Sequence, residues 1–167
     1  MKNSHVTIGL SNPKSPTNVG AVMRAAGCYQ VDDVRYTGER YDRAVKFQTD
    51  TKKAANKIPL TSVDCLLDNL PEDMKVVCVE LAEGAVSLPE FQHPEKAIYV
   101  FGPEDGSLKQ DIINEADYVV YMPTVGSLNL AAAANVVLYD RAAKSFTEHS
   151  DELIRESRDV NNRLKVP

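Results

Sequence analysis

Two continuous apolar runs constrain the fold of this chain more than any other feature of its sequence. KVVCVEL (75–81) and KAIYVFG (96–102) lack the polar alternation that a strand with one solvated face would show. Such runs are typical of strands buried on both faces, as in a parallel sheet between layers of helices. Shorter strand patterns are present at 5–10 (HVTIGL), 32–38 (DDVRYTG) and 117–122 (DYVVYM).

Helical patterns separate these predicted strands. Apolar residues in VGAVMRAA recur with the spacing of one helix face, which predicts a helix capped by Thr17 or Asn18 and ended by Gly27. Further helices are predicted over 61–70 (with Thr61 or Ser62 as the N-cap and Pro71 after its end), 107–115, 128–146 and 151–165. Alternating strands and helices predict an α/β fold, a mostly parallel sheet with helices on both faces.

The composition fits one globular domain over residues 1–167. The chain is 43% apolar and 26% charged, and it contains no repeat or linker. Its longest apolar run (130–139) is far shorter than the roughly 20 residues of a membrane span, and its start lacks a signal-peptide pattern. Cys28, Cys65 and Cys78 are expected to be buried free thiols in a reducing compartment. We therefore expect a cytoplasmic protein that contacts no membrane.

The charge distribution bears on the kind of partner. The net charge of −5 weighs mildly against nucleic-acid binding, since domains that bind nucleic acids are usually basic. Residues 35–57, however, carry seven cations against three anions. This basic stretch is either an ordinary solvated face or a patch that contacts phosphates. Its cations are Arg35, Arg40, Arg43, Lys46, Lys52, Lys53 and Lys57.

Three turns follow predicted strands at the edge where parallel sheets bind ligands, beyond the carboxyl ends of the strands. In NPKSPTNVGAVMRAAG two prolines stiffen the approach to a helix that carries Arg24. GPEDGSL is a tight turn that holds Glu104, and PTVGSLNL places Ser127 and Asn129 at a helix N-terminus. Taken singly, these turns have ordinary explanations: a surface arginine, a strand-to-helix connection and helix capping.

Several common chemistries find no support in the sequence. It contains neither a G-x-G-x-x-G fingerprint nor a P-loop, and no G-x-S-x-G nucleophile elbow. The three histidines have no metal-ligand spacing with one another or with the cysteines, so we expect no metal.

In their order along the chain, three segments resemble the motifs of the SpoU/TrmH branch of the SPOUT superfamily. They are NVGAVMRAAG (18–27), FGPEDGSL (101–108) and MPTVGSLNLAAAANVVLYD (122–140). Members of this branch are RNA ribose 2′-O-methyltransferases that use S-adenosylmethionine. The second segment differs from the usual G-x-E-x-x-G, because its last glycine comes one position early and Ser107 follows it. The third segment is shorter than usual after Pro123.

The resemblance implies a C-terminal deep trefoil knot and a homodimer as the working form. It implies that S-adenosylmethionine is bound by backbone groups around Glu80, Leu81, Ala82, Gly102, Met122 and Leu128. Arg24 is expected to act at the target ribose. The other residues expected to shape the catalytic site are Asn18, Glu104, Ser127 and Asn129.

The implied reaction is an in-line methyl transfer from a sulfonium to a ribose 2′-hydroxyl, with tRNA as the preferred RNA and rRNA as the alternative. The hydroxyl must also lose its proton, and a free guanidinium is effectively always protonated. Either the folded site lets Arg24 accept that proton, or Arg24 binds an RNA phosphate while another group accepts it. Two other functions stay open: a non-catalytic RNA-binding or assembly protein with this fold, and a methyltransferase that acts on a base.

Overall fold

A seven-stranded sheet forms the centre of the computed structural model, which describes residues 3–47, 58–145 and 150–167. The strands are β1 (His5–Leu10), β2 (Asp33–Tyr36), β3 (Leu60–Ser62), β4 (Lys75–Val79), β5 (Val86–Ser87), β6 (Lys96–Phe101) and β7 (Tyr118–Tyr121). They lie in the order β3-β2-β1-β6-β4-β7-β5, and each neighbouring pair of these strands is parallel. The predicted α/β fold with a mostly parallel sheet is confirmed.

Helices cover both faces of the sheet, as predicted. They are α1 (Pro16–Cys28), α2 (Arg40–Lys46), α3 (Gln110–Glu115), α4 (Leu130–Lys144) and α5 (Asp151–Ser157). α1 and α4 pack together on one face, in a core that includes Ile8 and Tyr99. On the other face Ile112 of α3 packs against a second core that includes Cys78 and Ile98. Successive residues of the central strands point into these two apolar layers in turn. This explains why the sequences of β4 and β6 are continuous apolar runs.

α1 begins earlier and ends later than the sequence predicts. Its N-cap is Ser15 rather than Thr17 or Asn18, and the Ser15 hydroxyl accepts a hydrogen bond from the Asn18 N–H (3.2 Å). Pro16 occupies the first turn, where its missing N–H needs no partner. Gly27 lies inside the helix and does not end it. The N-cap prediction was wrong because several residues with capping side chains compete within a few positions.

The predicted helix over 61–70 is wrong. Thr61 and Ser62 belong to β3, which pairs with β2 and extends the sheet at one edge. Turns follow, Leu66 is buried in the second core, and Asn69 adopts a φ of +57° that a continued helix does not allow. Strand pairing and burial at this place override the local helical pattern.

The final helix is also shorter than the predicted 151–165, since α5 ends at Ser157. Beyond it, the Asp159 and Asn162 side chains accept hydrogen bonds from the backbone N–H groups of Asn161 and Leu164 (2.9 Å each). Such local bonds from side chain to backbone compete with helix formation. None of the helices in the described ranges is long and apolar enough to cross a membrane.

Two of the three cysteines depart from the prediction of buried thiols. Cys28 and Cys65 are exposed, and only Cys78 is buried. Burial raises the pKa of the Cys78 thiol to about 12, so this thiol stays protonated at neutral pH.

A buried hydrogen-bonded network joins the segment before β6 to the C-terminal half of α4. His93 Nε2 lies 2.6 Å from an Asp140 oxygen, and His93 Nδ1 lies 2.8 Å from the Tyr99 hydroxyl. Because the Asp140 carboxylate can only accept, the neutral His93 ring carries its proton on Nε2, and its Nδ1 accepts from the Tyr99 O–H; Arg141 donates to the same hydroxyl oxygen (2.9 Å). Burial lowers the pKa of His93, although the Asp140 carboxylate acts in the opposite direction.

We expect stability to fall as the pH drops below about 6.5, the ordinary pKa of histidine. His93 binds a proton less readily in the folded chain than in the unfolded chain. Its stabilising contribution is therefore complete above that pH and is lost as the pH falls toward the lower folded value. Urea unfolding across this range measures the free energy of unfolding at each pH. For His93→Gln this free energy should change less steeply with pH than for the wild-type chain, by at most about 1.4 kcal/mol per pH unit. An equal pH dependence of the free energy of unfolding in the variant and the wild-type chain would contradict the lowered pKa of His93.

Candidate active site

A cavity of about 220 Å³ opens at the carboxyl ends of β4, β6 and β7. These strands are parallel neighbours, so the turns that follow them meet at one edge of the sheet. The cavity walls consist of Val79, Glu80, Leu81, Phe101, Gly102, Pro103, Glu104, Gly106, Tyr121, Met122, Thr124, Gly126, Ser127, Leu128, Asn129, Leu130 and Ala133.

The Glu104 carboxylate joins the turn after β6 to the loop before α1. It accepts hydrogen bonds from the backbone N–H of Lys14 (2.9 and 3.2 Å) and from that of Ser15 (2.7 Å). Ser15 is the N-cap of α1, and the unpaired N–H groups of a helix N-terminus favour a nearby negative charge. Glu104 therefore holds the loop that leads into the first motif segment against the second motif segment.

Two asparagines extend this connection to the third motif segment. Asn18 Nδ2 lies 3.4 Å from a Glu104 oxygen, and Asn18 Oδ1 accepts a hydrogen bond from Asn129 Nδ2 (3.2 Å). Asn129 is also the N-cap of α4, as predicted, since its Oδ1 accepts from the N–H groups of Ala131 (2.9 Å) and Ala132 (3.3 Å). Hydrogen bonds thus link one side chain from each of the three motif segments.

Glu80 ties the turn after β4 to the turn after β6. One of its oxygens accepts from the Leu81 N–H (2.9 Å) and the other from the Leu108 N–H (3.0 Å). Gly102 lies directly against this contact, where an added Cβ would stand 3.1 Å from the Leu108 nitrogen and 3.4 Å from the Glu80 oxygen. The close approach of these backbones therefore favours glycine at this position, since a Cβ would force the neighbouring atoms to shift.

The loop after β7 forms a tight turn in the shortened third segment. The Thr124 hydroxyl donates to the Gly126 carbonyl (2.9 Å), and Gly126 adopts a φ of +81°, in the region that favours glycine. The turn directs the chain back to Leu128, whose half-exposed side chain lines the cavity. A glycine turn of this kind accommodates the short connection.

The cavity brings together most of the residues that the sequence predicts for the site. Eight of the eleven line it: Glu80, Leu81, Gly102, Glu104, Met122, Ser127, Leu128 and Asn129. Asn18 contacts Glu104 and Asn129 without lining the cavity. The Ala82 N–H is hydrogen-bonded to the Glu80 carbonyl (3.0 Å), and Arg24 is exposed on α1 outside the cavity wall.

Other cavity residues were not predicted. They lie within or beside the predicted segments, and the signal in the sequence is their position at the end of an apolar run or in the turn or helix that follows it. These residues are Val79, Phe101, Pro103, Gly106, Tyr121, Thr124, Gly126, Leu130 and Ala133. Within the described ranges, no group of three or more His, Cys, Asp or Glu side chains is arranged to hold a metal ion.

A sequence profile of the SpoU rRNA Methylase family matches residues 5–139, from β1 into α4. The chain belongs to this family. The resemblance drawn from the three motif segments is thereby confirmed, since the match includes the first two segments in full and nearly all of the third.

The curated relatives that this chain matches are distant from it in sequence. The tRNA (guanosine(18)-2′-O)-methyltransferase of Escherichia coli K12 is 23% identical over 141 residues, which cover 81% of this chain. The chain spans 62% of the length of that relative.

Solved structures share the fold at similarly low identity. The SpoU methyltransferase AviRb from Streptomyces viridochromogenes, in complex with AdoMet, has a TM-score of 0.69 and 20% identity, and covers 86% of this chain and 59% of its own. A structure that concerns 2-OH methylation of C/U34 on tRNA has a TM-score of 0.70 and 23% identity. The match covers 84% of this chain and 91% of that structure's chain.

The basic stretch of this SpoU family member is partly occupied by contacts within the chain. Arg35 donates to two backbone carbonyls (2.9 and 3.2 Å), Arg43 pairs with Glu39 (2.8 Å), and Arg40 pairs with Asp105 (2.7 Å). Three of the cations predicted to contact phosphates therefore already have partners. Of the others, Lys46 is exposed, whereas Lys52, Lys53 and Lys57 lie outside the described residues.

We expect Gly102→Ala to lower the free energy of unfolding by about 1–3 kcal/mol, as when extra volume enters a packed region. Its Cβ would stand 3.1 Å from the Leu108 nitrogen and 3.3 Å from the Ser107 carbonyl carbon, which are backbone atoms. Gly106→Ala is the matched control in the same turn, because its nearest neighbour is the Pro103 side chain at an ordinary 3.4 Å. Urea unfolding measures both variants. Similar losses in the two would contradict the close-approach explanation.

Proposed function

We propose that this chain is an S-adenosylmethionine-dependent RNA methyltransferase and that it methylates a ribose 2′-hydroxyl. The observation that carries the proposal is the hydrogen-bonded connection from Asn129 through Asn18 to Glu104, which joins the three motif segments beside one cavity. Membership in the SpoU family supports it, as does the relative named for 2′-O-methylation of a tRNA guanosine.

The cavity residues fit S-adenosylmethionine. Leu81 and Leu128 are 56% and 39% exposed at the cavity wall, which suits contact with a flat, largely apolar ring. Gly102 leaves the backbone open to close approach. When bound, this cofactor supplies a methyl group activated by a sulfonium charge, as in the related AviRb structure with AdoMet. The chain then has to hold the two reactants in line, which can supply most of the acceleration.

The side chains around the cavity divide into holding and contacting groups. Glu104 and Asn18 are engaged with backbone or side-chain partners, so we assign them the task of fixing the loops. Asn129 also lines the cavity, but its side chain caps α4 and donates to Asn18, so we assign it to the holding group as well. Ser127 lines the cavity, and we propose that it contacts the bound reactants. Arg24 is exposed, and an exposed guanidinium suits an RNA phosphate. Under the proposal, Arg24 binds the phosphate next to the target ribose.

We propose tRNA as the substrate class, with rRNA as the alternative. The E. coli relative is named for a tRNA position, and the family description names rRNA. The exposed cations of the basic stretch are proposed to contact RNA phosphates, which makes binding dependent on salt. The name of the E. coli relative, a 2′-O-methyltransferase, favours the ribose over a base as the acceptor.

We also propose one catalytic domain over residues 1–167 with the C-terminal part threaded in a trefoil knot. The likeness to SpoU enzymes supports the knot, as does the meeting of the turns after β4, β6 and β7 at one cavity. A cytoplasmic location stays a prediction.

The proposed reaction is tested by incubating the purified chain with methyl-labelled S-adenosylmethionine and with tRNA or rRNA from cells that lack it. Digestion to nucleosides then locates the label. Label in a 2′-O-methylated nucleoside is the expected result, and label in a base would support the base-directed alternative. Binding of S-adenosylmethionine without transfer to either RNA would support the non-catalytic alternative.

Arg24→Ala should abolish methyl transfer and leave the affinity for S-adenosylmethionine within about threefold, because Arg24 lies outside the cavity wall. Calorimetry measures cofactor binding and the labelled assay measures transfer. A variant that loses cofactor affinity but keeps its turnover would reverse the assignment of Arg24.

We propose a homodimer, with the exposed glycines of α1 near the interface. An added Cβ at Gly20 or Gly27 would meet no atom within 4 Å, so this side of α1 is bare in the single chain. The adjacent α4 exposes Val136 (41%) and Tyr139 (65%). A bare helix surface beside apolar side chains allows close approach of a second backbone.

Gly20→Val should leave the fold intact and prevent dimer formation. The new side chain enters open space in the single chain, and valine is a better helix former than glycine. Sedimentation equilibrium measures the association, and far-ultraviolet circular dichroism serves as the control for folding. An unchanged dimer would place the interface elsewhere.

A further inference from the structure

Arg40 makes a forked contact that joins α2 to two segments of the candidate site. Its two terminal nitrogens donate to the two oxygens of Asp105 (2.7 and 2.9 Å). One of them also donates to the backbone carbonyl of Asn12 (2.7 Å). Planar, bidentate pairs of this kind are geometrically specific, and a lysine cannot reproduce them.

Both partners of Arg40 adjoin the residues that hold Glu104. Asp105 follows Glu104 directly; the neighbours Glu104 and Gly106 line the cavity, whereas Asp105 bonds to Arg40 outside the wall. Asn12 lies two residues before Lys14, whose N–H donates to Glu104. Arg40 therefore bridges the same two segments that the Glu104 carboxylate joins.

α2, which begins with Arg40, is held against the end of β2 by side-chain contacts. The Tyr36 hydroxyl at the end of β2 donates to Asp42 (2.5 Å), and the Tyr36 and Tyr41 rings pack edge to face with centroids 5.0 Å apart. Asn12 is also fixed against this region, because its N–H donates to the Thr37 hydroxyl (3.1 Å). The guanidinium thus extends from an anchored helix.

We propose that Arg40 is a positioning residue of the methyl-transfer site, which fixes the loop before α1 and the Glu104 turn relative to each other through Asp105 and Asn12. The proposal rests on the proposed function. It assigns to Arg40 a task other than the phosphate contact predicted for the basic stretch.

The geometry favours positioning over phosphate binding. Both terminal nitrogens of Arg40 are already donating, and its Nε is buried without a hydrogen-bond partner among the described residues. A phosphate that binds both terminal nitrogens would have to displace the Asp105 carboxylate, which this cation stabilises: Arg40 lowers the pKa of Asp105. Releasing Asp105 would also leave a second negative charge beside Glu104, where it would repel RNA.

The test compares Arg40→Gln, Asp105→Asn and the double variant in kcat, in affinity for S-adenosylmethionine and in the salt dependence of RNA binding. Arg40→Gln should lower kcat by about 10- to 100-fold, the effect of misplacing a catalytic geometry slightly, and leave the salt dependence unchanged. Asp105→Asn should have the same effect, and the double variant should be no worse, because the two residues act as one unit.

The matched control is Lys96→Gln, which removes one cation from the exposed Lys96–Asp73 pair at the other end of β6. The Asp73 carboxyl also has its pKa lowered by its cation, so the control removes a comparable charge without the bidentate geometry. Lys96→Gln should leave kcat within about twofold. An equal loss of kcat in this control would show that the lower kcat of Arg40→Gln comes from lost charge or stability. That result would overturn the proposal.

A phosphate contact gives a different result. Arg40→Gln would then reduce the slope of log K against log salt by about one and leave kcat at saturating RNA unchanged, which would overturn the positioning role.

Amide hydrogen exchange provides a readout that needs no activity. The Lys14 and Ser15 amides, which donate to Glu104, should exchange at least about tenfold faster in Arg40→Gln than in Lys96→Gln. The Val76 amide, which donates to the Asp117 carboxylate, is the internal reference and should not change. If the wild-type chain methylates no RNA, the proposed function fails, and this exchange comparison alone decides the positioning role. Unchanged exchange at Lys14 and Ser15 would overturn it.

Discussion

The hydrogen bonds of the Glu104 carboxylate are the constraint on which the candidate site depends. A parallel sheet brings the turns after its strands to one edge, but it does not fix how those turns sit relative to one another. Charge-assisted bonds from the Lys14 and Ser15 N–H groups supply that fixed relation, and they are roughly twice as strong as neutral ones. The carboxylate also lies at the N-terminus of α1, where the helix dipole favours it. Asn18 contacts Glu104 and also accepts a hydrogen bond from Asn129, so the N-terminus of α4 is fixed relative to the same carboxylate.

α4 is held at both ends by polar contacts of different kinds. At its start Asn129 caps the first turn and reaches Asn18. In its last turns Asp140 and Arg141 bond to the buried pair of His93 and Tyr99. Between these ends the buried side chains of the helix are mostly small, which lets it pack close to α1 and the sheet. A helix fixed in this way places its N-terminus at the cavity with little freedom to tilt, which suits a site that works by positioning.

The sequence allowed the parallel sheet and the two helical layers to be predicted, because apolar runs and helical periodicity are local patterns. The resemblance to the SpoU/TrmH motifs implied the site residues, of which eight of eleven line the cavity. The sequence did not reveal β3, since Thr61 and Ser62 join the sheet through pairing with β2, which lies outside any local window. The Ser15 cap was missed because its neighbours are equally good capping residues. The contact between Arg40 and Asp105 spans 65 positions, and nothing in either segment indicates the other.

The engagement of Glu104 also limits its part in the proposed reaction. A carboxylate offers about four acceptor sites. Those of Glu104 are directed at two backbone N–H groups and the Asn18 amide, with both oxygens in use. To accept the proton of a ribose hydroxyl, Glu104 would have to give up bonds that hold the first two motif segments together. The proton would then be gained at the cost of the geometry that methyl transfer needs. Glu104 is therefore better suited to hold the site than to act as its base, and the proton acceptor must be sought among groups that the fold leaves free to face the RNA.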